Sequence, residues 1–225
     1  MVCRHVIEHV PEPVELLRSV RAALASSPKA RVFFETPCVE WILRHLVIWD
    51  FFYEHCSLFT AQSLGLAFRL SGFSVERVEH IFGGQYLWLE ARAADSEATL
   101  PVVGETLRLA TAYTADEQRL REALLVRLRE LRQNGKVALW GAGAKGATFA
   151  NLVDPQCILI DCLVDLNPNK QGRFVPGTGH PIVSPTDLPV RGVCNAVLMN
   201  PNYREENLQL LAEANISLNL IDWSE

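Results

Sequence analysis

Val137-Ala138-Leu139-Trp140-Gly141-Ala142-Gly143-Ala144-Lys145-Gly146 decides the fold. A short apolar run of strand character meets a G-x-G-x-x-G turn, and a helix opens from it. That order belongs to a parallel α/β sheet. In such a turn, glycine at 141, 143 and 146 lets the N–H groups of a helix N-terminus approach a phosphate. Asp165 then stands about 20 residues on, where an acid accepts from a ribose hydroxyl. The same residues also suit a tight strand-to-helix turn that holds nothing. Lys145 is either a phosphate partner or a solvated surface cation.

Toward the C-terminus, Ile158–Val164 reads as a strand and 167–185 as a Gly/Pro-rich loop. Ala196–Met199 reads as the next strand and Ser217–Ile221 as the last. Asn200-Pro201-Asn202-Tyr203 falls at a strand's carboxyl edge, so Asn200 and Tyr203 are candidate ligand contacts. The plainer alternative is a turn at Pro201 with Asn202 capping the following helix.

Toward the N-terminus, Thr114-Ala115-Asp116-Glu117 fits a capping box, opening a helix with Leu120, Leu124, Leu128 and Leu131 on one face. Residues 92–113 read as a small-residue connector. Val2–Ile7 reads as a short buried strand, and Val14, Leu16, Leu17, Val20 and Leu24 carry helical spacing. Arg31–Glu35 is the next strand, completing a strand–helix–strand unit. Residues 37–59 form an aromatic, His-bearing loop. Thr60 caps a helix that Gly72 ends, and Gly83-Gly84 joins two β-rich stretches as a hairpin. The expected division is therefore 1–95, a connector and helix over 96–134, and a second α/β domain over 135–225.

Composition narrows the function. Of 225 residues, 49% are hydrophobic and 21% charged, with a net charge of −5, and no basic stripe points to nucleic acid. No apolar run reaches the ~18 residues of a membrane helix. The six cysteines show neither C-x-x-C nor zinc spacing, so reduced thiols, no metal site and a cytoplasmic location are expected.

Within Phe51-Phe52-Tyr53-Glu54-His55-Cys56, a carboxylate beside an imidazole in an aromatic loop suits proton abstraction, although such loops also simply cover cores. His9, at the end of the first strand, stands where parallel sheets bind ligands, or caps the next helix. His5, His45, His80 and His180 have no comparable catalytic setting.

Arg4-His5-Val6-Ile7-Glu8-His9-Val10-Pro11-Glu12-Pro13 resembles the end of the fourth strand and the following loop of class I SAM-dependent methyltransferases. Phe52–Thr60 resembles the active-site loop of the sugar C-methyltransferases. Trp140–Gly146, Lys170–His180 and Met199–Tyr203 are similar to the C-terminal domain of that family. The resemblance implies a partial class I methyltransferase (Rossmann-like) sheet followed by a second, small Rossmann-like α/β domain. It also implies methyl transfer from SAM to carbon on a nucleotide-linked, TDP-type keto-deoxysugar. Carried over by motif, His55 is the base, Glu54 its orienting partner, His9 the neighbour of the enolate, and Tyr53 a helper.

Full-length relatives hold SAM on a glycine-rich turn and an acid that are not among these residues. The resemblance therefore leaves only Cys3, Arg4 and His5 at SAM. It implies a chain inactive without a separate N-terminal half, with an apolar sheet edge prone to self-association. Two other readings stay open: a nucleotide-sugar binding module without turnover, and an NAD-dependent oxidoreductase resting on Gly141–Gly146.

Overall fold

A computed structural model describes residues 1–27, 29–94, 97, 100 and 104–222. The expected boundary at 95–96 lies outside the described residues. The chain divides into two compact units, one of Met1–Val47 with Tyr53–Ala115, the other of Ile48–Phe52 with Asp116–Glu225. Among the described residues, no helix is long and apolar enough to cross a membrane.

In the first unit, β1 (Val2–Arg4) runs parallel to β2 (Arg31–Pro37), joined by helix α1 (Pro13–Ala23). Pro13 opens α1, where a missing N–H costs nothing. Helices α2 (Val39–His45) and α3 (Ala61–Leu70) follow, then the hairpin strands β3 (Phe73–Ile81) and β4 (Tyr86–Ala93), while the 3₁₀ turn at Ile48–Asp50, between α2 and α3 in the chain, belongs to the second unit. The strand order is β1-β2-β4-β3, with β4 antiparallel to both neighbours. The carboxyl ends of β1, β2 and β3 consequently share one edge.

Thr60 caps α3 through a reciprocal box with Ser63, as its side chain leads one to expect. Phe34, Phe68 and Phe73 pack with ring centroids 5.0 and 5.5 Å apart at the centre of the core. Each such buried ring contributes about 1.5–3 kcal/mol.

Two expectations change here. Val2–Ile7 is not a buried strand: only Val2–Arg4 pairs, on one side, and Val2 is 61% exposed. His5 turns left-handed (φ 52°) and Ile7–His9 coils into a 3₁₀ turn that buries Ile7. The 37–59 stretch is not all loop, since Val39, Ile42 and Leu43 bury one face of α2.

Helix α4 (Gly104–Gln133) is continuous, so Thr114 does not cap it. Its hydroxyl instead donates to the carbonyl of Ala110 one turn back, the alternative open to any mid-helix threonine.

In the second unit all strands are parallel, in the order β7-β6-β5-β8-β9. They are β5 (Lys136–Trp140), β6 (Cys162–Val164), β7 (Ile182–Val183), β8 (Val193–Leu198) and β9 (Asn219–Asp222). Helices α5 (Ala144–Val153), α6 (Leu188–Arg191) and α7 (Arg204–Glu213) connect them. The order reverses direction between β5 and β8, the crevice where parallel sheets hold ligands.

β6 is shorter than expected. Residues 158–160 turn around Asp154, whose carboxylate accepts the N–H groups of Ile158, Leu159 and Ile160 at 2.8–2.9 Å. His180, fully buried, adds a contact from Nε2 at 3.1 Å. β7 lies inside the expected 167–185 loop, because a two-residue strand has no periodicity to read and exists only by pairing with β6.

Gly146 is set by close approach: a Cβ there would lie 1.9 Å from the carbonyl oxygen of Gly141. Gly146→Ala is expected to cost about 1–3 kcal/mol, as overpacking does, read as a lowered urea midpoint with an unchanged m-value. An unaltered midpoint would mean the turn can open.

Candidate active site

At the carboxyl ends of β1 and β2, the left-handed turn at His5 places four ionisable side chains together. Arg4 grips Glu35 with two bonds, Nε to Oε2 at 3.0 Å and Nη2 to Oε1 at 2.9 Å. His5 Nε2 lies 2.9 Å from Glu35 Oε1, and its Nδ1 3.4 Å from Glu8 Oε1. Glu8 and Glu35 are both nearly inaccessible. Thr36 Oγ1 donates to Glu8 Oε2 at 3.0 Å, while Glu8 Oε1 is buried without a well-formed hydrogen bond among the described residues. A buried carboxylate oxygen in that state calls for a donor. Cys3, half-buried on β1, has its thiol pushed up by burial and then by the Glu8 charge.

The 53–60 loop is fastened to this edge. Ser57 N–H donates to Glu8 O at 3.1 Å, and Val39 N–H to Phe59 O at 2.9 Å, with Phe59 buried. The fastening sets the His9 and His55 rings edge to face, 4.9 Å between centroids. One donor atom each from Glu8, His9 and His55 falls within 4.8 Å of the others. His9 Nδ1 lies 3.1 Å from the main-chain oxygen of Glu54. A carbonyl only accepts, so this contact puts the proton on Nδ1 and leaves Nε2 with its lone pair when the ring is neutral.

The fold thus brings His9 and His55 together, with Glu8 as the buried acid beside them. Glu54 has an exposed side chain, and it meets the cluster through its carbonyl, which accepts from His9 Nδ1. Tyr53 is 90% exposed. Glu8 and Glu35 were not singled out in the sequence. Their signal is an acid terminating an apolar strand-like run, which reads equally as the strand's solvated end.

In the second unit, Gly141, Asp165, Asn200 and Tyr203 line one cavity of about 380 Å³, at the ends of β5, β6 and β8. Gly141 has φ 121°, a conformation glycine adopts without strain, and Gly143 caps α5. Lys145 does not line the cavity; its Nζ lies 3.4 Å from Asp50 Oδ1. The cation at the turn is Lys170, which donates to Asp165 Oδ2 at 2.9 Å and to Ala142 O at 3.2 Å. Asn200 accepts the Asn202 N–H and so caps a 3₁₀ turn at Pro201–Tyr203, while α7 begins after Tyr203 with no side-chain cap from Asn202 or any other of the described residues.

Residues 1–78 match a family model described as a methyltransferase domain, and residues 94–216 match one described as a C-methyltransferase C-terminal domain. No curated protein matches the chain. The second match spans more than half of the sequence and takes in the glycine turn, Asp165, Asn200 and Tyr203. A class I methyltransferase part followed by this domain makes the chain a member of the C-methyltransferase family.

Proposed function

We propose that the protein takes part in SAM-dependent methylation of carbon on a nucleotide-linked keto-deoxysugar, of TDP type, in the cytoplasm. The observation that carries this reading is the His9–His55 pair beside the buried Glu8 carboxylate. A C–H next to a ketone is removed when a base meets it and the growing charge on the ketone oxygen is stabilised. His55 takes that proton, and His9 stands beside the oxygen, which it stabilises as the imidazolium, with Nε2–H as the donor and Nδ1–H still held by the Glu54 carbonyl. Glu8 holds the charge that forms on the imidazole pair. SAM, when bound, supplies the electrophilic methyl group.

Two buried carboxylates near β1 suit the cationic, reacting end of SAM, with Cys3, Arg4 and His5 along the same strand. The glycine-rich turn that holds its nucleoside in the family is not among residues 1–78. Full turnover is therefore expected only when a SAM-binding half is supplied. Proton removal needs no methyl donor, so the test is deuterium uptake at the carbon beside the ketone, in heavy water without SAM. Exchange no faster than in buffer, with and without that half, would sink the reading.

The cavity in the second unit favours a second reading, retention of a nucleotide-sugar without turnover. Asp165 is the acceptor for a hydroxyl of the nucleoside sugar, and Lys170 beside it suits the diphosphate, a pairing that a TDP-sugar and NAD would both satisfy. A TDP-sugar is expected to raise the melting temperature, and Asp165→Asn to weaken its binding about tenfold or more, the worth of one hydrogen bond to a charged group. Stabilisation by NADH alone would favour an oxidoreductase instead. No shift with either ligand would count against both.

A further inference from the structure

The first unit holds a second cluster that the methyl-transfer reading does not use. Cys38, Glu40 and His80 each offer one donor atom, and the three atoms lie within 4.8 Å of one another. Spaced 2 and 40 residues apart, they show no metal pattern along the chain. The topology assembles them: Cys38 and Glu40 follow β2 into α2, and His80 sits near the carboxyl end of β3, at the same sheet edge.

We propose that Cys38, Glu40 and His80 form a zinc-binding site with a fourth position open to water. One thiolate, one imidazole and one carboxylate are the donor set of a borderline-soft divalent ion, and not of calcium or magnesium. Bonds of about 2.0–2.3 Å put tetrahedral donors ~3.5 Å apart. The present separations, all within 4.8 Å, would have to contract to that value on binding.

The backbone beneath the ligands is already fixed. Cys38 N–H donates to Gln85 O and Val39 N–H to Phe59 O, both at 2.9 Å, and His80 pairs with Leu87 in the hairpin. Glu40 has the outer partner that metal-bound carboxylates keep, since Thr106 Oγ1 donates to its Oε1 at 2.8 Å. Cys38 is 1% exposed while His80 faces solvent, so the ion enters from the His80 side. Burial pushes the Cys38 thiol up. Coordination deprotonates a thiol outright, so zinc uptake releases its proton to the medium.

The plainer account has Cys38 as a small core residue, Glu40 as a hydrogen-bond acceptor for Thr106, and His80 as a surface side chain. Cobalt in place of zinc decides between them on the full chain. The expected result is one equivalent bound with a near-ultraviolet thiolate-to-cobalt band, displaced by zinc. The band disappears in Cys38→Ser. His80→Ala, at an exposed position that leaves the fold intact, weakens binding at least 100-fold. Thr106→Val weakens it about 10–100-fold, as loss of an outer partner does.

Cys56 is the control, because its thiol lies beside the other group of possible ligands, Glu8, His9 and His55. A band that persists in Cys56→Ser supports the site. A band lost in Cys56→Ser and kept in Cys38→Ser would overturn it, as would the absence of saturable binding by either ion.

Discussion

Replacing His55 by alanine cuts deuterium uptake beside the substrate's ketone by about 10²–10⁴-fold, the usual worth of a positioned general base. Leaving SAM out of that assay separates proton removal from everything that happens to the methyl group. Within the cluster His55 and His9 are not equivalent. His9 commits its Nδ1 to the Glu54 carbonyl, which fixes how the ring is turned. His9→Ala should consequently lose less than His55→Ala, the deficit coming from poorer stabilisation of the enolate oxygen. The reverse ranking, with His9→Ala losing more exchange than His55→Ala, or His55→Ala near wild type, would move the base to the other ring.

Asp154→Ala lowers the unfolding free energy by about 3–5 kcal/mol, the cost of removing one partner from a buried charged network. Three N–H groups and the fully buried His180 would lose their acceptor together. Burial by itself pushes the Asp154 carboxyl up, but bonds from Ile160, Ile158, His180 and Leu159 outweigh it and hold the group below its ordinary range. The sign follows from linkage. A carboxyl lowered in the folded state stabilises above its unfolded value of about 3.9, and that contribution fades as pH falls through the lower folded value. The gap between wild type and Asp154→Ala should therefore be widest near neutrality and narrow below about pH 4. Urea unfolding at pH 7 and pH 3 measures it. A gap that stays constant, or a loss under about 1 kcal/mol, would show that water replaces the carboxylate.

Features set by neighbouring residues were legible in the sequence. The Thr60 cap, the Gly83-Gly84 hairpin and the strand–glycine turn–helix at 137–146 each follow from residues a few positions apart. Thr114 shows the limit of such signals. The same side chain that caps a helix bonds back to a carbonyl within one, and burial of Leu109 and Leu128 goes with a helix that runs on through that position.

Long-range features were hidden. β7 exists because β6 pairs with it, and 158–160 turns aside because Asp154 collects its N–H groups. The candidate site divides the same way. His9 and His55 stand out as imidazoles in unusual settings, whereas Glu8 and Lys170 each also depend on a partner 28 residues away, Thr36 and Ala142, that no local pattern announces.

The Glu54 carbonyl bond carries a consequence for reading relatives of this chain. The atom that sets the tautomer of His9 belongs to the main chain, which every amino acid supplies alike. Drift of the side chain at position 54 thus leaves the proton on the same nitrogen. A change in the path of the loop, by insertion or deletion between Phe52 and Ser57, would move it without altering a single imidazole.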